Sequence, residues 1–114
     1  MIRGNAKAVI ICGALFNGYL NQIAKLAADH RLASISASLD YVEAGGLISY
    51  GTNAADYYRR AATYVDKIFK GAKAGELPVE QPTKFELVIN GKTAKTLNIK
   101  IPQSILVRAD KVIE

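Results

Sequence analysis

The chain has 114 residues, half of them apolar, and a formal net charge of +5. That length predicts one compact domain with a genuine core, although a domain of this size hides a smaller fraction of its surface than a large one and stays marginal. The lysines and arginines are spread along the chain, only Arg59 and Arg60 adjoin, and no basic-aromatic interleaving suited to stacking on bases occurs, which leaves nucleic-acid binding a weak alternative.

Arg3 and Lys7 ahead of the apolar run 8–16 imitate a secretion signal. The run is short for that role, bulky Ile11 precedes Cys12 where lipoprotein processing requires a small residue, and a helix pattern follows at once. Residues 8–12 therefore read as a strand, apolar on both faces as a central parallel strand is, and ended by Gly13. No stretch approaches the ~20 apolar residues of a membrane span. With no export signal recognised, the chain expressed as written is expected in the cytoplasm. Cys12, alone, makes no intramolecular disulfide and no metal pair.

Asn17 is placed to cap the next helix, whose apolar stripe is Leu20, Ile23, Ala24 and Ala27, with His30 and Arg31 at its negative end. Residues 32–37 read as a strand, 39–44 as a short helix and 46–50 as a third strand. The pattern over 54–70 is the strongest helix signal, because Tyr58, Ala61, Ala62, Val65, Ile68 and Phe69 share a face and Gly71 stops it. Asp56 with Arg60 and Asp66 with Lys70 are four apart in the favourable acid-first order. A polar loop with Gly75, Pro78 and Pro82 leads to residues 83–90, where Phe85, Leu87 and Ile89 alternate with Glu86, Val88 and Asn90 and predict a half-exposed strand. A short helix over 92–97 and a helical piece opened by Pro102 and running to 109 complete the chain. Strands alternating with helices predict an α/β fold with a mostly parallel sheet flanked by helices.

Catalytic patterns fail on inspection. Gly91-Lys92-Thr93 imitates the end of a phosphate-binding loop, but Glu86 stands where that loop needs a glycine. The run 46–51 has one residue too many before Ser49 for a nucleophile elbow, and His30 is the only histidine, so no triad has support. At a helix C-terminus His30 reads as a cap. Asp40, Glu43, Asp56 and Asp66 fall at helix starts or on solvent faces, and Tyr57, Tyr58 and Tyr64 lie on a helix where packing is the default role. No catalytic residue, metal ligand or cofactor is identified, and the chain does not read as an enzyme.

The most informative stretch is 45–60, where an apolar strand runs into a capped helix. Ser49 and Tyr50 place hydroxyls at the strand's carboxyl end, Gly51 allows a sharp turn or a close approach, and Asn53 is a good N-cap with Asp56 three residues on. Spacing alone makes this ordinary strand-loop-helix punctuation.

The wording around it adds a family likeness. Val42-Glu43-Ala44-Gly45-Gly46-Leu47-Ile48-Ser49-Tyr50-Gly51, then Tyr58-Arg59-Arg60-Ala61-Ala62, Val65-Asp66-Lys67-Ile68 and Lys70-Gly71-Ala72 resemble the C-terminal part of bacterial ABC-transporter substrate-binding proteins, a group with tryptophan- and other amino-acid-binding members. The likeness continues through residues 77–90 and 92–95 to Ile101-Pro102-Gln103-Ser104 and Arg108-Ala109-Asp110; over 8–39 it is one of order and spacing. It implies one lobe, the second, of a type I periplasmic binding fold that captures a small polar solute such as an amino acid without covalent chemistry. The ligand would lie at the carboxyl ends of strands, in the loops beginning at Gly13, Ser36 and Tyr50. Ser49, Tyr50 and Asn53 would bond a polar head group, the helix N-terminus near Asn53 would favour a carboxylate, Phe16 would stack on an apolar part, and Asn17, Ser36, Gly51 and Asp56 complete the candidate set.

A full-length relative resembles two lobes behind a secretion signal, acting outside the cytoplasm with an ABC permease, and the helix over 54–70 would cross its hinge. Here that helix and a bare sheet edge are expected to drive a homodimer. The alternative to solute capture is a dimeric interaction module that kept the fold and binds no ligand.

Overall fold

The computed structural model describes residues 5–114, so Arg3 lies outside the described residues. The chain, expected from its length to form one domain, divides into two compact units: one runs to Gly51 and resumes with Glu86–Glu114, and the other is Thr52–Phe85.

The first unit is built on a five-stranded sheet of β1 (Ala8–Ile11), β2 (Ala33–Ser36), β3 (Ile48–Gly51), β4 (Glu86–Asn90) and β5 (Lys111–Ile113), in that spatial order. β1, β2 and β3 run parallel, β4 is antiparallel to β3, and β5 is parallel to β4. The helices are α1 (Leu20–Asp29), α2 (Leu39–Glu43), α4 (Gly91–Thr96) and α5 (Gln103–Leu106), with α3 (Ala54–Phe69) in the second unit. The mostly parallel α/β architecture expected from the sequence is present.

Leu20, Ala24 and Ala27, one helical turn apart, bury the inner face of α1. Ile11, Leu20, Ala24 and Tyr41 form one core cluster against Val9, Ile23 and Ala44; Leu47, Ala94 and Leu97 form another with Ile48, Ile99 and Ile101. Residues such as Leu47 and Ile89, with almost no surface left in water, each contribute about 1.5–3 kcal/mol through burial. Buried Asn90 locks α4 in place: its Oδ1 accepts from the Thr93 N–H at 3.0 Å as the helix N-cap, while its Nδ2 donates to the Val42 carbonyl at 3.2 Å. The Thr93 hydroxyl donates to the Gly45 carbonyl at 2.9 Å. The neighbouring Gly46 is fixed by space, since a Cβ there would stand 2.2 Å from the Tyr41 ring, which has no exposed surface.

Four readings are corrected. Among the described residues β1 stands at the edge of the sheet, not its centre, because it pairs only with β2; Val9 and Ile11 face the core cluster while Ile10 is 72% exposed. Asn17 caps no helix: residues Ala14–Tyr19 wind as a 3-10 turn, and α1 starts after Tyr19 without a side-chain cap. The strand over 83–90 is shorter and not half-exposed, for β4 starts at Glu86, is flanked by β3 and β5, and buries Val88, Ile89 and Asn90 in succession. After α5 the chain adds β5, a three-residue strand that the sequence reading missed; it is anchored by Asp110, whose N–H donates to the Leu87 carbonyl at 2.9 Å and whose Oδ2 accepts from the Leu87 N–H at 2.8 Å.

The second unit contains α3, a short 3-10 turn at Ala74–Glu76 and an extended return to Phe85. Asn53 caps α3 as expected, its side chain accepting from the Ala55 N–H at 2.9 Å. The return is tied to the helix by the Tyr64 hydroxyl, which donates to the Pro78 carbonyl at 2.6 Å, and by Arg60 with Glu80 at 3.0 Å. No residue of this unit is buried.

Candidate functional site

Parallel strands expose their ligand-facing loops at their carboxyl ends. In the first unit a groove of about 290 Å³ opens there, at the ends of β1 and β2, lined by Ile11, Gly13, Ala14, Asn17, Ser36, Ala37 and Ser38. Its wall is built locally. After Ser36 the chain turns into α2, and the Ser36 Oγ accepts from the Ser38 N–H at 3.2 Å, which fixes the Ser36-Ala37-Ser38 corner. Gly51 supports the same corner from β3: a Cβ there would lie 2.0 Å from the Ala37 carbonyl oxygen. That glycine is therefore required by backbone packing within the unit.

The lining carries an amide, two hydroxyls and apolar surface, groups that can hydrogen-bond a polar solute. Among the described residues no group of three or more His, Cys, Asp or Glu side chains could hold a metal ion, and no helix is long and apolar enough to cross a membrane.

Of the residues singled out in the sequence, Asn17 and Ser36 meet in this groove. Phe16, 44% exposed in the 3-10 turn, is not among its lining residues, and Ser49 is buried in the sheet between its register partners Ser36 and Val88. Tyr50 is 54% exposed, its side chain alternating to the other face of β3. Asn53 and Asp56 belong to the second unit, where they help line a groove of about 910 Å³. Ser38 and Ala14 were missed; a Ser-x-Ser corner directly after a parallel strand was the available signal for the first.

The larger groove lies along α3 and the return segment, with Tyr57, Tyr64, Leu77 and Pro78 among its walls. Its charged groups are already engaged, Arg59 with Asp56 and Arg60 with Glu80. Desolvation, and then the Glu80 carboxylate, hold the Tyr64 phenol above its ordinary pKa, with Arg60 opposing. Size favours this groove, but the smaller one stands where a parallel sheet presents ligands and rests on a buried core; we take the smaller as the candidate site.

Three solved structures share the fold. A conserved domain protein from Vibrio cholerae O1 biovar eltor matches 90% of this chain at 28% identity with a TM-score of 0.84. The ABC domain in complex with L-Trp from Streptococcus pneumoniae matches 98% at 25% identity with a TM-score of 0.88. A ligand-free, open structure of a substrate-binding protein with adhesive properties from Clostridium difficile matches 87% at 21% identity with a TM-score of 0.59, a likeness of fold alone. The chain spans 34%, 38% and 33% of their respective lengths. No curated protein matches it. The model of the ABC transporter substrate-binding protein family matches residues 2–113, nearly the whole chain, and on that match the chain belongs to this family.

Proposed function

We propose that the chain supplies one wall of a solute-binding site in an ABC-type uptake system and captures a small polar solute such as an amino acid without covalent chemistry. The observation that carries this is the groove at the ends of β1 and β2, where Asn17, Ser36 and Ser38 bring hydrogen-bonding groups to an otherwise apolar hollow. At about 290 Å³ it is at the lower end for small-molecule sites, as one wall of a two-sided cleft would be. In this reading the chain corresponds to the second lobe of its longer relatives, α3 is the segment that crosses their hinge, and the whole works outside the cytoplasm beside a permease. L-Trp, bound by the Streptococcus pneumoniae protein, is the first ligand to try.

The test is thermal unfolding against a panel of amino acids. A ligand that binds only the folded state raises Tm, by the equivalent of about 2.7 kcal/mol at a hundredfold excess over Kd. We expect at least one amino acid to do so and Asn17→Ala and Ser36→Ala to reduce the shift. A panel without effect at millimolar concentration would favour the interaction-module alternative.

A further inference from the structure

Gly51 closes β3 at the position paired with Glu86 of β4. Unlike Gly13, Gly45 and Gly71 it has no positive φ, so its backbone conformation is open to any residue and does not explain the glycine. Space explains it. β2 and β3 stay in register as far as Ser36 and Ser49; beyond that pair the chain leaves β2, and the Ala37 peptide comes to lie against Gly51. A Cβ at position 51 would stand 2.0 Å from the Ala37 carbonyl oxygen, 2.9 Å from its carbonyl carbon and 3.2 Å from its Cα. All three are backbone atoms, so no flexible side chain can swing aside to make room. Gly51 does not line the groove, but Ala37 and the serines on either side of it do.

We propose that Gly51 is a positioning residue for solute binding: its bare Cα lets the Ala37 peptide rest on β3, and that contact sets where the Ser36 and Ser38 hydroxyls stand relative to Asn17. The inference rests on the solute-binding reading given above. Ser36 is buried, and its Oγ accepts from the Ser38 N–H at 3.2 Å, already the long end of such bonds. Ser38 leads into α2 without a side-chain bond to the helix, so its hydroxyl is not spent on capping. With a Cβ at position 51, ordinary contact requires the Ala37 carbonyl to retreat by roughly 1 Å. A binding constellation works only within about 0.5 Å of its productive geometry. The displacement therefore breaks the corner's own hydrogen bond and misplaces both hydroxyls, although none of the groove's polar side chains has been changed.

The test compares wild type with Gly51→Ala by isothermal titration with L-Trp and with the panel amino acid that raises the wild-type Tm most. Gly46→Ala is the stability control, because it overpacks to a similar degree against the Tyr41 ring, 2.2 Å from its Cβ, and does not line the groove. We expect Gly51→Ala to weaken binding roughly tenfold or more, and Gly46→Ala, at a temperature where circular dichroism shows it folded, to bind as wild type does. If Gly51→Ala does not fold, the comparison moves to an Ala37→Gly background, in which the corner has the freedom to turn away from the added methyl. There the double variant should bind roughly tenfold more weakly than Ala37→Gly alone. Undiminished binding by a folded Gly51→Ala, or by the double variant against its own background, overturns the inference and leaves the solute-binding reading standing, as does an equal loss in Gly46→Ala. A wild type that binds no amino acid of the panel overturns that reading, and the inference falls with it.

Discussion

Tyr41 offers the sharpest test of the packing described above. Its ring is completely buried in the cluster with Ile11, Leu20 and Ala24, yet its hydroxyl has no hydrogen-bond partner among the described residues. The Ser34 hydroxyl, which accepts from the Leu47 N–H at 3.4 Å, is close enough to temper the effect of burial without forming a hydrogen bond of ordinary geometry. An unsatisfied buried polar group costs about 1–3 kcal/mol, whereas removing one oxygen leaves only a small void. Tyr41→Phe should therefore stabilise the chain by about 1 kcal/mol, or raise Tm by about 4 °C.

The pH dependence supplies an internal control. Burial raises the Tyr41 pKa above its ordinary value of 10.0, so the native state holds its proton more tightly than the unfolded state. The associated stability is fully present below the unfolded pKa and is lost as pH rises through the folded one. Wild type and Tyr41→Phe, compared by urea unfolding at pH 8 and near pH 11, should differ more at the higher pH, since titrations common to both cancel in the difference. A variant destabilised by 1 kcal/mol or more at pH 8, with a gap that does not widen with pH, would show that the hydroxyl is hydrogen-bonded in solution and refute the reasoning.

Gly46→Ala drives a Cβ into the fully buried Tyr41 ring and should cost about 3 kcal/mol in chemical denaturation. Asn90→Ala removes the α4 cap and the bond to the Val42 carbonyl together; a loss of about 2 kcal/mol is expected, and a loss below 0.5 would deny Asn90 that anchoring role. Asp29→Ala breaks the exposed pair with Lys25 and should change stability by less than about 0.5 kcal/mol, with even that difference fading in high salt.

What the sequence determined by itself was whatever short-range chemistry decides. The 3.6-residue stripe and the Asn53 cap set α3 within a residue of its observed end, and the stripe of Leu20, Ile23, Ala24 and Ala27 marked the face of α1 that packs. The alternation of strands and helices predicted the mostly parallel sheet. Neighbours decided the rest. An apolar run such as Ala8–Ile11 reads alike at the centre or the edge of a sheet, and only pairing shows that, among the described residues, β1 has one partner while β4 has two. Lys111–Ile113 is too short to carry a period and becomes a strand because Asp110 docks it beside Leu87. Asn17 and Ser36 are 19 residues apart and meet only where β1 and β2 end side by side, whereas Ser49 was drawn inside by its register with Ser36 and Val88. Local propensity sees the dihedral preferences and faces of one segment; depth in the sheet and the walls of a groove arise from contacts between residues far apart in the chain, which only the folded arrangement specifies.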